Sequence, residues 1–316
     1  MTARYFREAP KQIPDIETLV DILLFEVTNH FKLGQRSTIY KMIDWLGRVP
    51  AKRFAAIMQQ FDRMVAEKSI WEAASDALKE FTDGWDVSGL EGVPSSGPLL
   101  VLANHPGAAD SVAAMAAIER NDQSMIVLER PMLVAMPNFS QHMIYVDEEN
   151  PARLGLMRRV IQKLKDGQTV IMFPRGNLEP DPGLVAGAVE SINHWSGSVG
   201  LFLSKVPDTI VQPLLISNVI VPKAWQSLIA QWAKNTKTRQ QIAMILQVAM
   251  QRLFPKGGWK IPVKVKAPEC VPARDLSRRL DPQELNRELI AFMKTHMKLE
   301  FPQQSDQDLP VSPTIQ

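Results

Sequence analysis

Apolar residues recur at helical spacing through residues 14–83, with breaks near Gly47 and Pro50. Such a period predicts amphipathic α-helices, and glycine and proline are the residues that most often interrupt them. The runs cover Leu19–Phe31, Ile39–Leu46, Phe54–Val65 and Ile70–Phe81. We therefore predict a helical amino-terminal region over residues 1–84 that packs as a small bundle.

From Trp85 onward, short apolar runs alternate with helical patterns. Runs of this length between turn residues are typical of buried strands. The predicted strands are Leu99–Ala103, Met125–Leu128, Met143–Val146, Thr169–Phe173 and Ile210–Ile216, and the predicted helices between them cover about 109–121, 151–166 and 184–194. Strands and helices that alternate in this way favour a largely parallel sheet covered by helices. The sequence predicts an α/β domain over residues 85–301.

The longest helical pattern runs from Ala224 to Leu253, and Lys234, Lys237 and Arg239 interrupt it with a basic cluster. This segment has two interpretations. It is either an amphipathic surface that settles on an anionic membrane, or a pair of helices packed on the core with solvated basic side chains, which is the more common reason for such spacing.

Three features are predicted after this segment. Residues 259–266 alternate apolar and mostly basic side chains, which favours an edge strand whose lysines prevent further pairing. A last helix follows at about 282–297. Residues 302–316 are rich in proline, glutamine, serine and aspartate, and this composition predicts a disordered tail.

Composition narrows the class of protein. The chain has 316 residues, of which 45% are hydrophobic and 22% charged, so it can bury a substantial core. A net charge of +2 gives no reason to expect a nucleic-acid partner. The single cysteine, Cys270, excludes an intrachain disulfide and a multi-cysteine metal site, and we expect it to be a small apolar filler.

Several common signals are missing from the sequence. No apolar run is long enough to span a bilayer, and the first residues have no apolar signal core. We expect a cytoplasmic protein, and peripheral contact with a membrane stays open. A Gly-x-Ser-x-Gly elbow and the glycine-rich loops that bind nucleotides are also missing.

The segment 104–110 holds the most informative chemistry, because His105 and Asp110 lie five positions apart where a predicted strand gives way to a helix. An aspartate in the first helical turn could fold back and hydrogen-bond the imidazole. The other ring nitrogen could then take a proton from a hydroxyl group. The alternative is a structural histidine beside an aspartate that caps the helix.

Three segments in this order resemble motifs of the glycerolipid acyltransferase family. They are Asn104–Asp110 with its His-x-x-x-x-Asp pattern, Val170–Asn177 around Phe-Pro, and Val211–Leu214 with its Val-x-Pro pattern. The resemblance covers about residues 85–222. It implies the fold of that family and a reaction in which a fatty acyl group moves from acyl-coenzyme A or an acyl carrier protein to the hydroxyl of a lipid acceptor.

The resemblance also implies a substrate-binding region, although the sequence departs from the family pattern there. Arg175 stands where the family has glutamate, Asn177 and Leu178 stand where it has threonine and arginine, and Glu148 stands where an arginine is usual. Other cations and a glutamate in a shifted register could replace them. The residues expected to bind substrate are Arg153, Phe173, Pro174, Arg175, Gly176, Asn177, Glu179 and Pro213.

In the implied reaction, His105 is the general base and Asp110 orients it. Backbone amides near Gly107 or Gly176 could stabilise the oxyanion. No metal or redox cofactor is expected. The acceptor could also lack a phosphate, and the helical amino-terminal region could dock an acyl carrier or cover the acyl channel. A different class stays open as well, namely an inactive protein that binds acyl lipids on the same fold.

Overall fold

The protein contains a mixed sheet whose middle is entirely parallel. The computed structural model describes residues 9–31, 37–146 and 153–302. The strands are β1 (Trp85–Ser88), β2 (Leu99–Ala103), β3 (Gln123–Leu128), β4 (Met143–Val146), β5 (Thr169–Met172), β6 (Ile210–Ser217), β7 (Val263–Lys266) and β8 (Val271–Pro272). Their order is β1-β7-β6-β2-β5-β3-β4, with β8 paired to β6. Strands β6, β2, β5, β3 and β4 are parallel, which confirms the predicted fold class.

Helices cover both faces of this sheet. They are α1 (Ile16–His30), α2 (Thr38–Glu67), α3 (Ile70–Phe81), α4 (Ala108–Ala117), α5 (Pro131–Val134), α6 (Pro137–Ser140), α7 (Arg153–Lys165), α8 (Ala188–Ser191), α9 (Ser198–Lys205), α10 (Pro222–Trp225), α11 (Leu228–Gln231), α12 (Thr236–Leu253), α13 (Ala273–Leu276) and α14 (Pro282–Glu300). A 3-10 turn, Ile192–His194, follows α8. Polar side chains start several of the helices. For example, Ser69 and Glu72 form a reciprocal capping box at α3.

Strand β2 contributes side chains to both layers of the core. All five of its residues are buried, and successive side chains of a strand point to opposite faces. Leu99, Val101 and Ala103 join the cluster that contains α1–α4 and α12. Leu100 and Leu102 join the cluster that contains α7–α9 and α14. The continuous apolar run therefore anchors the sheet in both layers.

Helix α2 corrects the predicted breaks at Gly47 and Pro50, because it continues through both residues. Gly47 serves a close approach between helices instead, since an added Cβ would come within 2.8 Å of Leu24 Cδ2 on α1. Pro50 is buried inside α2, and packing against α1 and α12 compensates for its missing N–H. Helices α1–α3 pack on each other and also on α4 and α6, so they extend one layer of the sheet.

The interrupted helical pattern over 224–253 is divided into α10, α11 and α12. Serine and asparagine side chains restart the helices, because Ser227 Oγ accepts from the N–H of Ala230 and Asn235 Oδ1 accepts from that of Thr238. The predicted helix at 184–194 is also corrected, since only α8 and the 3-10 turn form there. Helix α9 was not predicted.

The predicted edge strand is corrected too. Strand β7 covers only Val263–Lys266 and lies between β6 and β1. Its outer neighbour is β1, a four-residue strand that the sequence did not indicate. The alternation along β7 was predicted correctly, because Val263 and Val265 are buried while Lys264 is exposed. The tail beyond residue 302 lies outside the described residues.

Candidate active site

The parallel strands end at the same edge of the sheet, and a cavity of about 1830 Å³ opens there. Segments that follow different strands line it: His105 and Gly107 after β2, Arg130 after β3 and residues 173–178 after β5. Helix α12 adds Lys237 and several apolar side chains. This is the edge at which α/β sheets usually bind ligands.

The cavity enters the sheet where two strands separate. Strand β3 pairs with β5 only as far as Met125 and Ile171, whereas β3 and β4 stay paired to Leu128 and Val146. The cavity is lined from both core layers, by Met125 and Leu133 on one side and by Met157 and Phe202 on the other. Most of its exposed wall is apolar.

His105 and Asp110 are brought together as the sequence predicted. Nδ1 of His105 lies 2.9 Å from Oδ2 of Asp110, whose side chain is fully buried, whereas 28% of the His105 side chain is exposed. The same Oδ2 accepts from the N–H of Gly107 at 2.6 Å, and the Ser111 hydroxyl donates to Oδ1. An ionised carboxylate only accepts, so Nδ1 carries the proton and Nε2 is left as the basic nitrogen.

Several groups set the pKa of His105. Burial lowers this pKa. The carboxylates of Asp110 and of the nearby Glu179 together raise it by more than burial lowers it, so the pKa of His105 lies above its usual value of 6.5. The ring of Phe173 is 4.6 Å from the imidazole between centroids and forms the adjacent wall.

We expected Glu179 to contact substrate, but the structure places its side chain away from the cavity. Its side chain is 1% exposed and is absent from the cavity wall among the described residues. One carboxylate oxygen accepts from the N–H of His105, and the other accepts from Ser191 and Trp195. Burial raises the pKa of Glu179, against these donors. Glu179 therefore fixes the position of the backbone at His105.

Two buried side chains that the sequence did not assign also fix this edge. The amide of Asn104 donates to the carbonyl of Ile216 at 2.8 Å and accepts from its N–H at 2.7 Å, so it extends the β2–β6 ladder past the end of β2. Asp181 accepts from the N–H groups of Gly183 and of residues 218–220. Burial raises the pKa of Asp181, against these four donors. Both contacts join segments far apart in sequence, so spacing could not reveal them.

Helix α12 braces the same turn. Gln240, which is 2% exposed, donates from one Nε2 to the carbonyls of Pro106 and Glu179. Gln247 accepts from the N–H of Val221 and donates to the carbonyl of Val219. The segments after β2, β5 and β6 are thereby tied to one helix.

Cations line the cavity, namely Arg130, Arg159, Arg175 and Lys237. Arg175 is half-buried, lines the wall and has no acidic partner within salt-bridge distance among the described residues. Lys237 Nζ donates to Asn177 Oδ1 at 2.8 Å. Arg130 and Arg159 also line the wall. Phe173, Pro174, Gly176 and Leu178 line it as well, whereas Glu148 and the side chain of Arg153 lie outside the described part of the chain.

We also expected Pro213 to bind substrate, but it lies inside the sheet, on β6, and away from the cavity wall. It separates the part of β6 that pairs with β8, at Ile210 and Val211, from the part that pairs with β7, at Leu215–Ser217. A residue without an N–H costs least where no strand accepts from it. Pro213 therefore marks the change of partner along β6.

Two of the backbone amides in the regions proposed to stabilise an oxyanion are already engaged. The N–H of Gly107 donates to Asp110 and that of Gly176 to the carbonyl of Phe173, so an oxyanion would need other amides near them. Gly176 adopts the left-handed conformation, with φ of 67°, which explains the glycine. Cys270 is likewise more than an apolar filler, because its thiol donates to Gln212 Oε1 at 2.8 Å and burial raises its pKa.

Two further observations concern residues 9–31, 37–146 and 153–302. Within these ranges, no cluster of three or more His, Cys, Asp or Glu side chains could hold a metal ion. In the same part of the chain, no helix combines the length and the apolar character needed to cross a membrane.

Comparisons with known proteins bear on the same region. The model of the Acyltransferase family matches residues 84–217, which run from β1 to β6 and include both His105 and Asp110. Among solved structures, the chain is similar to the crystal structure of the 1-acyl-sn-glycerophosphate (LPA) acyltransferase PlsC from Thermotoga maritima. The identity is 17% and the TM-score 0.43, over 92% of this chain and 99% of that chain. No curated protein sequence matches.

Proposed function

We propose that the protein moves a fatty acyl group from a thioester to the hydroxyl of a glycerolipid-type acceptor, through the region over residues 84–217 that matches the acyltransferase family model. The donor is acyl-coenzyme A or an acyl carrier protein. The observation that carries the proposal is the 2.9 Å contact between His105 and Asp110 in the wall of a large apolar cavity. This contact supplies a fixed base beside a space that suits an acyl chain.

The proposed chemistry begins at Nε2 of His105. It takes the proton of the acceptor hydroxyl while the oxygen attacks the thioester carbonyl carbon. The carbon–sulfur bond of the tetrahedral intermediate then breaks, and the imidazolium returns its proton to the departing thiolate. The products are an ester and a free thiol. Asp110 keeps the proton on Nδ1 and stabilises the positive charge on the ring.

Cavity shape and charge support the substrate class. Apolar side chains such as Met157, Phe202 and Met244 line the cavity and favour an acyl chain. Arg175 and Lys237 line it as well and favour an anionic acceptor, because a guanidinium can bind a phosphate or a carboxylate with two parallel hydrogen bonds. These two cations take over from the family residues that are missing here.

The test is thioester consumption by the purified protein. Acyl-coenzyme A and acyl carrier protein are each supplied with glycerol phosphates, lysophospholipids or phosphate-free lipid alcohols. In His105→Ala we expect transfer to fall by about a hundred- to ten-thousandfold, the usual contribution of a general base. His194→Ala, at an exposed histidine outside the cavity wall, is the matched control and should keep wild-type activity.

The same experiment addresses the alternative. An inactive protein on this fold would bind acyl lipid equally well in wild type and in His105→Ala, and would transfer it to none of these acceptors. Acyl binding without transfer would show that the protein binds lipids without being an enzyme, an interpretation that the motif departures at Arg175 and Glu148 favour.

A further inference from the structure

The chain has a long segment without acidic residues. Between Asp208 and Glu269 the sequence contains no aspartate or glutamate, but nine lysines and arginines. The segment includes α10, α11 and α12, which lie beyond the part that matches the acyltransferase family. A stretch of one sign of charge attracts surfaces of the opposite sign.

Large apolar side chains are exposed within this segment. Leu228 is 73% exposed, Ile229 is 56% exposed and Trp232 is 82% exposed. Burial of Ala230 holds α11 in place, and α11 packs against α12. The fold therefore leaves Leu228, Ile229 and Trp232 in contact with water. Burial of each of these side chains would be favourable, so the exposed group suits a binding surface.

This surface adjoins the cavity. Lys237, one turn beyond Trp232 and at the start of α12, lines the cavity wall and bonds to Asn177. Arg239 lies over the ring of Trp225 at 4.1 Å and donates to the Trp225 carbonyl, which fixes α10 relative to α12. A ligand that covers α11 would lie close to Lys237 and to the part of the cavity wall that α12 forms.

We propose that Leu228, Ile229 and Trp232, together with Lys234 and Lys237, form a docking surface for a membrane that contains anionic lipids. We refer to these five residues as the α11 surface. Tryptophan and leucine enter the boundary between headgroups and acyl chains, while lysines bind the lipid phosphates. The inference goes beyond the proposed reaction, because it concerns where the protein acts.

The apolar part of the surface favours a membrane over an acidic protein. A partner held by charge alone would need the lysines but would gain little from three exposed apolar side chains at the tip of a short helix. A bilayer uses both, since apolar burial and attraction to anionic lipid add in membrane binding.

The test measures sedimentation of the full chain with vesicles of phosphatidylcholine, with and without phosphatidylglycerol. We expect binding that needs phosphatidylglycerol and weakens with salt. Leu228→Ser with Trp232→Ser should lower vesicle affinity about tenfold or more, because two interfacial anchors are lost. Lys234→Glu should lower it as well. The matched control is Leu299→Ser, which removes a leucine that is 68% exposed on α14, in the opposite layer.

The outcomes separate this inference from the proposed reaction. Thermal unfolding and transfer to a water-soluble acceptor should stay at wild-type levels in the Leu228 and Trp232 variant, since neither residue lines the cavity. Wild-type vesicle binding by that variant, or an equal loss in Leu299→Ser, would overturn the docking surface. Unchanged vesicle binding with a raised KM for acyl carrier protein alone would assign the surface to the carrier instead.

Discussion

The two ring nitrogens of His105 face different environments. Nδ1 bonds to a carboxylate that is fully buried, while the exposed part of the ring reaches the cavity. The spacing of His105 and Asp110 in sequence indicated that this contact could form, because five residues across a strand-to-helix turn can bring the two side chains together. Glu179 was misassigned, because its contact with the His105 N–H spans 74 residues and depends on the path of the loop after β5.

The pH dependence of transfer follows from this arrangement. A base must be neutral to act, and the His105 pKa is raised above 6.5. Activity should therefore rise with pH, with the midpoint of the acidic limb above 6.5. Because the imidazolium is favoured in the folded state, its stabilising contribution is complete below the unfolded pKa and is lost as pH rises through the folded one. The measurement is kcat/KM against pH.

Glu179→Gln tests the second carboxylate. Loss of its negative charge should lower the His105 pKa and move the acidic limb to lower pH, whereas Glu190→Gln, at an exposed site on α8, should leave the limb in place. An acidic limb that stays in place in Glu179→Gln would show that this residue only positions the His105 turn.

At the scale of elements, apolar strands were predictable even when short, whereas exposed or interrupted elements were not. Strand β2 is a continuous apolar run because both of its faces are covered. Strand β1 has four residues, mostly exposed, and exists because β7 pairs with it. The polar stretch around Lys234 indicated an interruption between α11 and α12, but the exact start of α12 depends on the Asn235 cap, which the apolar pattern does not reveal.

The side chain of Asn104 extends the pairing of β2 and β6 beyond the end of β2. Asn104→Ala should lower the free energy of unfolding by about 2–4 kcal/mol, because the N–H and C=O of Ile216 lose their partners in a buried place. Urea unfolding measures the change. Asn193→Ala removes an exposed asparagine whose side chain accepts from Lys294, and it should cost less than about 0.5 kcal/mol. Equal costs in the two variants would contradict the role of Asn104.

At the scale of the whole molecule, the cavity belongs to both layers of the core. Its entry between β3 and β5 depends on how far each pair of strands stays together, and this register is a property of the assembled sheet. Sequence patterns place the strands but not the point at which two of them separate. The cavity could therefore not be predicted, although the edge of the sheet that carries it could.

Filling one side of the cavity should change which donors are used. Met157→Trp on α7 adds bulk to the wall, so transfer from long acyl chains should fall at least several-fold more than transfer from short ones. Leu154→Trp alters an exposed residue of the same helix and should leave the preference unchanged. The measurement is kcat/KM across a series of donor chain lengths. An equal fall at every length would place the acyl chain elsewhere.

The Gln240 side chain limits how far helix α12 can move. Its amide ties α12 to the buried carbonyls of Pro106 and Glu179, so swinging this helix outward would strand both carbonyls without a donor. Helix α12 is therefore held against the His105 turn, and its side of the cavity wall, which includes Lys237 and Met244, should keep its place when a ligand enters.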